Sequence, residues 1–438
     1  MAKKGFFKST QLQSKKARTR ESNLAQCGKC KLYENCLNPK MQPGGKGKVK
    51  ILHVGQSPDE VEDKRNDQLV GPAGTFYSKT LKKVSGIDLE DCKKTNANIC
   101  KPDNNKTPTN VQIKACRPNL KSIIKEFQPH VIIALGGEAT YSLIGHKFSE
   151  NIGGINKWRG FVIPDREYQA WVCPIFHPSY VTRDTSPEAA EKIFKEDLYD
   201  AVSMFNVDLP YYTKEDEENK IEILKHEREI NAWLKDLVKS KSLTAFDYEA
   251  SGLKPHNEKH KIKTCAISCN PDHAVAFPMY ESANFLQLLE KYLASNEIKK
   301  IMANAKYERD WTNVKLNMEL NGIFFDTMIA AHCLDNRPKI TGVEFQDYVN
   351  FGIEPYDDKV KPYIKPKGMR GNDLNYIDEC NLEDLLIYNG MDSMSEFRLG
   401  ILQMNVLGIE FEHLYSGKNL KEIAPQYNKI KERGTKCN

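Results

Sequence analysis

The first half of the chain alternates short apolar runs with amphipathic stretches. The runs VKILHVG (48–54), HVIIALG (130–136) and WVCPIFH (171–177) are strand-like. Between them lie helical patterns such as RPNLKSIIKEF (117–127). Strands that alternate with helices indicate a parallel α/β sheet.

The second half shows another α/β pattern. It opens with the hairpin-like stretch TCAISCNPDHAVAFPM (264–279) and closes with a long helical pattern over residues 381–407. The almost wholly polar run TKEDEENK (213–220) follows a Pro-Tyr-Tyr turn and predicts a linker between the halves. At 438 residues the chain is too long for one core, which also favours two domains.

We therefore divide the chain into five segments. They are a basic disordered arm (1–22), a first α/β domain (23–205), a linker (206–222), a second α/β domain (223–412) and a C-terminal tail (413–438). No window approaches about 18 uninterrupted apolar residues, so no membrane span is expected. The N-terminus lacks the apolar core of a secretory signal, and we expect a cytoplasmic chain.

Positive charge is concentrated at the N-terminus. The net charge is +5, and the first 50 residues carry 13 basic against 2 acidic side chains. Such an arm suits a polyanion such as nucleic acid. A solvated tail without a partner has the same composition, so charge alone leaves both interpretations open.

Four of the twelve cysteines have a spacing that indicates a metal site. Cys27 and Cys30 form CGKC, Cys100 follows after 69 residues, and Cys116 follows after another 15. Clustered cysteines in an intracellular chain more often bind metal than form disulfides. Four thiolates could hold zinc or an iron–sulfur cluster. Zinc modules usually pair two short-spaced knuckles, so this spacing argues against a zinc ribbon.

Carboxylates recur in the second half at spacings that place them on shared faces. In AFDYEASGL, Asp247 and Glu249 point to the same side if the segment is a strand. NAKYERDW adds Glu308, and YNGMD adds Tyr388 and Asp392, which share a helix face. Four acids in one pocket require divalent cations, and oxygen ligands favour Mg²⁺ or Mn²⁺. The alternative is an ordinary edge strand.

Four motifs of the first domain resemble those of the family 4 type of uracil-DNA glycosylase, the iron–sulfur members of that superfamily. They are GQSPDEVED (55–63), LVGPAG (69–74), the stretch from TNANIC to CRPNL (95–120) and HPSY (177–180). The resemblance covers roughly residues 23–205. It implies a three-layer α/β/α fold and a pocket that receives a flipped base. It also implies a [4Fe–4S] cluster on the four cysteines named above.

Three residues of these motifs match the uracil site of the family. Asn96 would read the Watson–Crick edge of the base, because an amide both donates and accepts hydrogen bonds. His177 would stabilise the negative charge that develops on the departing uracil. Ser179 belongs to the same His-Pro-Ser loop.

Two positions depart from the family pattern. Gln56 stands where the family has Glu, and a neutral amide cannot act as a base. Leu69 takes the position of an aromatic residue, which removes a stacking platform worth about 1–3 kcal/mol per base. Asp59 lies near enough in sequence to substitute for the missing acid. We therefore predict weak or absent uracil excision with preserved DNA binding; a domain that only binds DNA or uracil is the alternative.

The acids of the second domain resemble those of the DEDD 3′–5′ exonucleases, in the Tyr-bearing branch that serves family A DNA polymerases as proofreading domains. The match covers roughly residues 240–405 and implies a ribonuclease-H-like α/β fold. It implies that the four acids bind two Mg²⁺ or Mn²⁺ ions and that Tyr388 orients the attacking water. Glu308 stands where the family usually has Asp. We expect Asp326, in FFDTMIAAHCLD (324–335), to cap a helix or to lie behind the ligands.

The order of the two domains resembles the front part of phage DNA polymerases of family A. It implies DNA, single-stranded or with free 3′ ends, as the substrate, and the host cytoplasm as the location. Few residues follow the second domain, so we expect the partner DNA polymerase to be a separate chain or the other piece of a split gene. A non-catalytic polymerase accessory protein and an RNA-trimming exonuclease are the alternatives, and the glycosylase-like domain favours DNA.

Overall fold

The structure is a computed structural model of the chain. It describes residues 24–149, 151–183, 189–210, 217–417 and 424–426. The predicted basic arm (1–22) lies outside the described residues. Among those that are described, no helix combines the length and the apolar content that a membrane crossing requires.

Within the described residues, the first domain forms a five-stranded sheet. Its strands are β1 (Ile51–Gly55), β2 (Lys93–Asn96), β3 (Val131–Leu135), β4 (Ile163–Asp165) and β5 (Ala170–Ile175). They lie in the order β2-β1-β3-β5-β4, and each neighbouring pair is parallel except β4 with β5. The predicted parallel α/β sheet is confirmed. Its parallel strands all end at the same edge.

Helices cover both faces of this sheet. They are α1 (Cys27–Cys30), α2 (Glu60–Arg65), α3 (Pro72–Ser85), α4 (Asn110–Phe127), α5 (Gly137–Ile144), α6 (Ile155–Trp158), α7 (Pro178–Val181) and α8 (Ala189–Ser203). Leu52 and Ile132 pack with α4 and α5, whereas Ile51 and Ile133 pack with α3 and α8. Successive strand residues point to opposite faces, so these apolar runs require two helical layers.

The second domain contains a mixed sheet in the order β11-β10-β7-β8-β9-β6. Its strands are β6 (Ile221–Ile223), β7 (Thr244–Ala250), β8 (Ile262–Asn270), β9 (His273–Pro278), β10 (Lys300–Met302) and β11 (Ile323–Asp326). Its helices are α9 (Glu227–Ser240), α10 (Ala283–Leu293), α11 (Ala305–Trp311), α12 (Thr327–Leu334), α13 (Val343–Phe351) and α14 (Leu382–Leu407). The predicted hairpin and the long final helix are both present.

Strand β7 contributes to both faces of this sheet. Phe246 and Tyr248 join a core formed with α9 and α10, whereas Ala245 packs in the core that contains α14. Asp247 and Glu249 follow Ala245 at two-residue steps and therefore point to its side of the sheet. The alternation of the strand thus directs both acids at the helix that carries the YNGMD motif.

The two domains share an aromatic interface built on α13. Phe345 packs against Trp158 and Phe148 of the first domain, with ring centroids 5.1 Å and 5.9 Å away. Tyr348 packs against the same two rings. Phe345 and Tyr348 are thereby buried in the core cluster of the first domain.

The end of the predicted linker is anchored in the second domain. Glu217 is fully buried and accepts a hydrogen bond from the Arg398 guanidinium of α14 at 2.5 Å. Residues Ile221–Ile223 then pair with β9 as the edge strand of the second sheet. The last residues of the predicted linker (206–222) thus pack within the second domain, where Glu217 is an anionic partner of the buried Arg398.

Candidate active sites

The predicted uracil-site residues lie along one edge of the first sheet. Gln56 directly follows β1, Asn96 is the last residue of β2, and His177 comes two residues after β5. In the parallel register of β1 and β2, Gly55 lies opposite Asn96. The carboxyl ends of parallel strands meet at one edge, where α/β sheets bind their ligands. The structure therefore brings all three residues to the same end of the domain.

Glycines allow close approach at this edge. A Cβ atom on Gly55 would lie 2.3 Å from the Oδ1 atom of Asn96, and one on Gly136 would lie 3.0 Å from the Cβ atom of His177. Gly136 also has a φ of +93°, which side chains rarely tolerate. Both Asn96 and His177 thus pack against backbone that has no room for a side chain.

His177 is held as a neutral hydrogen-bond donor. Its Nδ1 atom accepts from the Ser179 amide at 3.2 Å and lies 2.7 Å from the Ser179 hydroxyl. An Nδ1 atom that accepts leaves the ring proton on Nε2. Burial, with a smaller contribution from Arg183, lowers the pKa of His177 to about 4. The imidazole is therefore neutral at pH 7 and can donate from Nε2.

Asn96 presents an unpaired donor at the same edge. It is 3% exposed, and its Nδ2 group has no hydrogen-bond partner among the described residues. An unsatisfied buried amide costs about 1–3 kcal/mol. Its amide is therefore available to a carbonyl oxygen such as those of uracil.

The structure gives Asp59 and Leu69 local roles. Asp59 caps α2, because its Oδ1 atom accepts from the Glu62 amide while its own amide donates to Glu62, both at 2.9 Å. Leu69 is 7% exposed, packs in the core beside α3 and has a φ of +55°. Glu62, which sequence reasoning did not single out, also accepts from the Leu69 amide. One oxygen of Asp59 is thus used by the helix cap, and Leu69 leaves little surface for a base.

The four predicted cluster cysteines line one small cavity. Cys27 and Cys30 lie on α1, Cys116 lies on α4, and Cys100 follows β2. None of the four is in a disulfide. The structure therefore gathers residues that are up to 89 positions apart in the sequence.

Hydrogen-bond donors converge on these sulfurs. The Lys40 amide donates to Sγ of Cys100 at 3.2 Å, and Nδ2 of Asn119 donates to Sγ of Cys116 at 3.5 Å. Such donors stabilise thiolate ligands and tune a bound cluster. Among the described residues, no three of the four sulfurs lie within 4.8 Å of one another. Sulfurs around one tetrahedral zinc are roughly 3.8 Å apart, so the set fits a larger cluster better.

The structure brings the predicted acids of the second domain together. Carboxylate oxygens of Asp247, Glu249 and Asp392 lie within 4.8 Å of one another. Glu308, on α11, is 1% exposed, and burial, followed by the charges of Asp247 and Glu249, raises its pKa well above the ordinary value. Tyr388 lies one turn before Asp392 on α14 and hydrogen-bonds to it. This all-oxygen donor set suits a hard divalent cation.

The raised pKa values of these acids also fit a site for a divalent cation. Burial, followed by the charge of Asp392, raises the pKa of Asp247 well above its ordinary value. Burial, followed by Asp247 and Asp392, does the same for Glu249. Burial also raises the pKa of Asp392 to about 7. A divalent cation would stabilise the charged forms of all three and reverse these shifts.

Sequence reasoning missed two neutral donors that hold the acids. The Nδ2 group of Asn389 donates to Oδ2 of Asp247 at 2.7 Å. The Tyr356 hydroxyl donates to Oδ1 of Asp392 at 2.5 Å. Asn389 follows Tyr388 within YNGMD, so the motif itself could have indicated it. Tyr356 is 36 residues from Asp392, and no sequence pattern connects them.

Asp326 caps a helix, which is one of the two roles expected for it. Its carboxylate accepts from the amides of Met328 and Ile329 at the start of α12. It also accepts from the Ala305 amide at the start of α11, at 2.8 Å. Asp326 therefore ties α12 to the helix that carries Glu308.

Two family models match the chain. The uracil DNA glycosylase superfamily matches residues 43–200, and the 3′–5′ exonuclease family matches residues 221–347. The second match ends before Tyr388 and Asp392.

Individual proteins are similar to the first domain alone or to both domains. The Type-4 uracil-DNA glycosylase of Thermotoga maritima is 37% identical over 181 residues, which are 41% of this chain and 90% of that protein. The Type-4 enzyme of Sulfurisphaera tokodaii is 33% identical over 181 residues, which are 41% of this chain and 80% of that protein. A DNA polymerase of Bacillus phage SP01 is 24% identical over 394 residues, which are 83% of this chain and 41% of the polymerase. The chain thus spans less than half of that polymerase.

Proposed function

Because this chain belongs to the uracil-DNA glycosylase superfamily and joins that domain to a 3′–5′ exonuclease domain, we propose that it removes nucleotides from DNA 3′ ends in a metal-dependent reaction. We further propose that its glycosylase-like domain binds DNA or uracil with little excision. Both domain types act on nucleic acid, which suits DNA replication or repair. We assign the two functions to residues 223–412 and 23–205.

The convergence of Asp247, Glu249 and Asp392 within 4.8 Å carries the exonuclease proposal. Two Mg²⁺ or Mn²⁺ ions would supply water activation and stabilise the leaving oxygen. Asp247, Glu249, Asp392 and Glu308 are the proposed ligand set. Burial and the neighbouring acids raise the pKa of Tyr388 well above its ordinary value, so its phenol stays protonated. That phenol can hold an attacking water in line with the scissile bond.

The proposed glycosylase-like site recognises uracil without supplying all of the excision chemistry. Asn96 donates to a base carbonyl through its unpaired Nδ2 group. His177 donates from Nε2 toward the oxygen where negative charge develops. Gln56 brings no charge to stabilise a cationic sugar, and buried Leu69 offers a base little stacking surface. The domain therefore retains binding of uracil better than excision of it.

We propose that Cys27, Cys30, Cys100 and Cys116 hold a [4Fe–4S] cluster. Their shared cavity, the donors from Lys40 and Asn119, and the likeness to Type-4 glycosylases support this assignment. The ligands come from α1, α4 and the segment after β2, so a cluster would fasten α1 to the rest of the first domain.

We propose that the protein acts together with a DNA polymerase. The similarity to the phage SP01 polymerase covers both domains of this chain and 41% of that polymerase. Exonuclease action on a primer end would then serve proofreading. Recognition of uracil by the first domain would mark template positions for the same complex.

A single gel assay tests this proposal. The chain is incubated with 5′-labelled single-stranded DNA, with and without one uracil, and with and without Mg²⁺. We expect shortening from the 3′ end only with Mg²⁺, and no rapid alkali-sensitive break at uracil. An RNA of the same sequence is the comparison for substrate class, and faster digestion of RNA would favour an RNA-trimming enzyme. DNA of full length after incubation with Mg²⁺ would refute the exonuclease assignment.

A further inference from the structure

We propose that Tyr356 is a positioning residue of the exonuclease site, which fixes the carboxylate of Asp392 for metal binding. This inference rests on the metal-dependent exonuclease activity proposed above. Tyr356 lies outside both family matches and outside the acid motifs.

The geometry places Tyr356 behind one metal ligand. Tyr356 is 6% exposed, and its hydroxyl donates to Oδ1 of Asp392 at 2.5 Å. Tyr356 thus uses one of the two carboxylate oxygens of Asp392. The Tyr356 ring lies 5.7 Å from that of Tyr388, which hydrogen-bonds to the same carboxylate from within α14. Asp392 is thus held by two phenols that reach it from different parts of the fold.

A second donor is needed because the terminal torsion of an aspartate is soft. Repulsion among Asp247, Glu249 and Asp392 would turn the Asp392 carboxylate away from its neighbours. A neutral hydroxyl opposes this rotation without adding a positive charge that would compete with a cation. Groups behind a metal ligand commonly act in this way, by fixing the orientation and basicity of that ligand.

The Tyr356 backbone is held firmly enough for this role. It follows α13, whose Phe345 and Tyr348 pack on the first domain. Phe351, the last residue of that helix, and Ile353, which lies between the helix and Tyr356, are buried in the core that contains α14. The position of the hydroxyl therefore depends on the packing that joins the two domains.

Mn²⁺ binding to the full-length chain tests the inference, with free Mn²⁺ measured by electron paramagnetic resonance. Tyr356→Phe keeps the ring and removes only the hydroxyl. We expect it to weaken Mn²⁺ binding by roughly 10–100-fold, as groups behind metal ligands do. The control is Tyr376→Phe, a phenol that is 37% exposed in the same domain, and it should bind Mn²⁺ like the wild type. Exonuclease rates at saturating Mn²⁺ should largely recover in Tyr356→Phe, with an unchanged KM for DNA.

A double-mutant cycle separates positioning from general damage. In an Asp392→Asn background, the ligand through which Tyr356 acts is already altered, so Tyr356→Phe should weaken Mn²⁺ binding little further. Equal affinity in Tyr356→Phe and the wild type would overturn the inference, as would an undiminished effect in the Asp392→Asn background. Absence of Mn²⁺ binding by the wild type would instead refute the proposed metal site itself.

Discussion

Asn389 donates twice to Asp247, to the carboxylate Oδ2 atom at 2.7 Å and to the main-chain oxygen at 3.2 Å. One residue is on α14 and the other is on β7, so the two hydrogen bonds fix the helix against the strand where the acids meet. The amide is neutral, and it orders Asp247 without neutralising a carboxylate that a cation needs. The helix therefore both supplies Asp392 and holds Asp247 opposite.

Replacing Asp247 should abolish the exonuclease activity. Asp247→Ala removes a ligand at the centre of the acid cluster, and the loss of such electrostatic stabilisation costs about 10²–10³-fold or more in rate. Chelation of divalent cations with EDTA should have the same effect on the wild type. Asp236→Ala, at an exposed site on α9, is the matched control and should digest DNA normally. Digestion by Asp247→Ala at the wild-type rate would refute the acid-cluster assignment.

Iron should depend on the four clustered cysteines. Protein purified without oxygen should be brown and contain about four irons per chain. Cys116→Ser should lose most of this iron, because it removes a ligand from α4, whereas Cys333→Ser, at an exposed cysteine, should retain it. Elemental analysis measures both variants, and one zinc with no iron would exclude the cluster.

Replacing Gln56 with Glu should restore uracil excision if the missing acid at this position is what disables the activity. The test uses the Asp247→Ala background, so that nuclease activity does not remove the product. Gln56→Glu should increase alkali-sensitive cleavage at uracil relative to Gln128→Glu, an exposed control at the opposite edge of the sheet. Rapid cleavage by the parent would contradict the binding-only view. No gain in Gln56→Glu would direct attention to Leu69, and Leu69→Phe is the next variant.

Breaking the buried ion pair of the linker should destabilise the second domain. Glu217 and Arg398 are both fully buried, and removing Glu217 takes away the nearer of two acids that pair with Arg398, the other being Asp272 at 3.8 Å. We expect Glu217→Ala to lower the free energy of unfolding by about 3–5 kcal/mol. Asp236→Ala breaks an exposed pair with Lys239 and should cost less than about 1 kcal/mol. Urea denaturation compares the two, and similar values would show that the linker is not anchored by this pair.

Stability should fall as the pH rises toward the slightly alkaline range. Burial raises the pKa of Asp347, on α13, from 3.8 to about 8, with Ser395 as its hydrogen-bond partner. The folded state binds the Asp347 proton more tightly than the unfolded state does. The resulting contribution to the free energy of unfolding is complete below pH 3.8 and is lost as the pH rises through about 8. The decline is at most about 1.4 kcal/mol per pH unit from this group. Asp347→Asn should flatten the denaturation profile between about pH 4 and 8, and an unchanged slope would exclude Asp347 as its source.

The sequence by itself determined the fold class of both domains and predicted most residues of each candidate site. Alternating apolar runs and amphipathic stretches dictate strands and helices, because burial follows the period of each element. Short spacings also dictate shared faces, as for Asp247 with Glu249 and Tyr388 with Asp392. These features are local, so they can be read without knowing the packing.

Only the tertiary structure decided which distant groups support those sites. Tyr356 reaches Asp392, Glu217 reaches Arg398, and Phe345 reaches the first domain across long stretches of chain. Contacts of this kind have no period and no fixed spacing. A charged residue such as Glu217 looks the same in the sequence whether it is solvated or buried beside Arg398. The free-energy cost of burying its charge, and the ion pair that offsets this cost, both arise from packing.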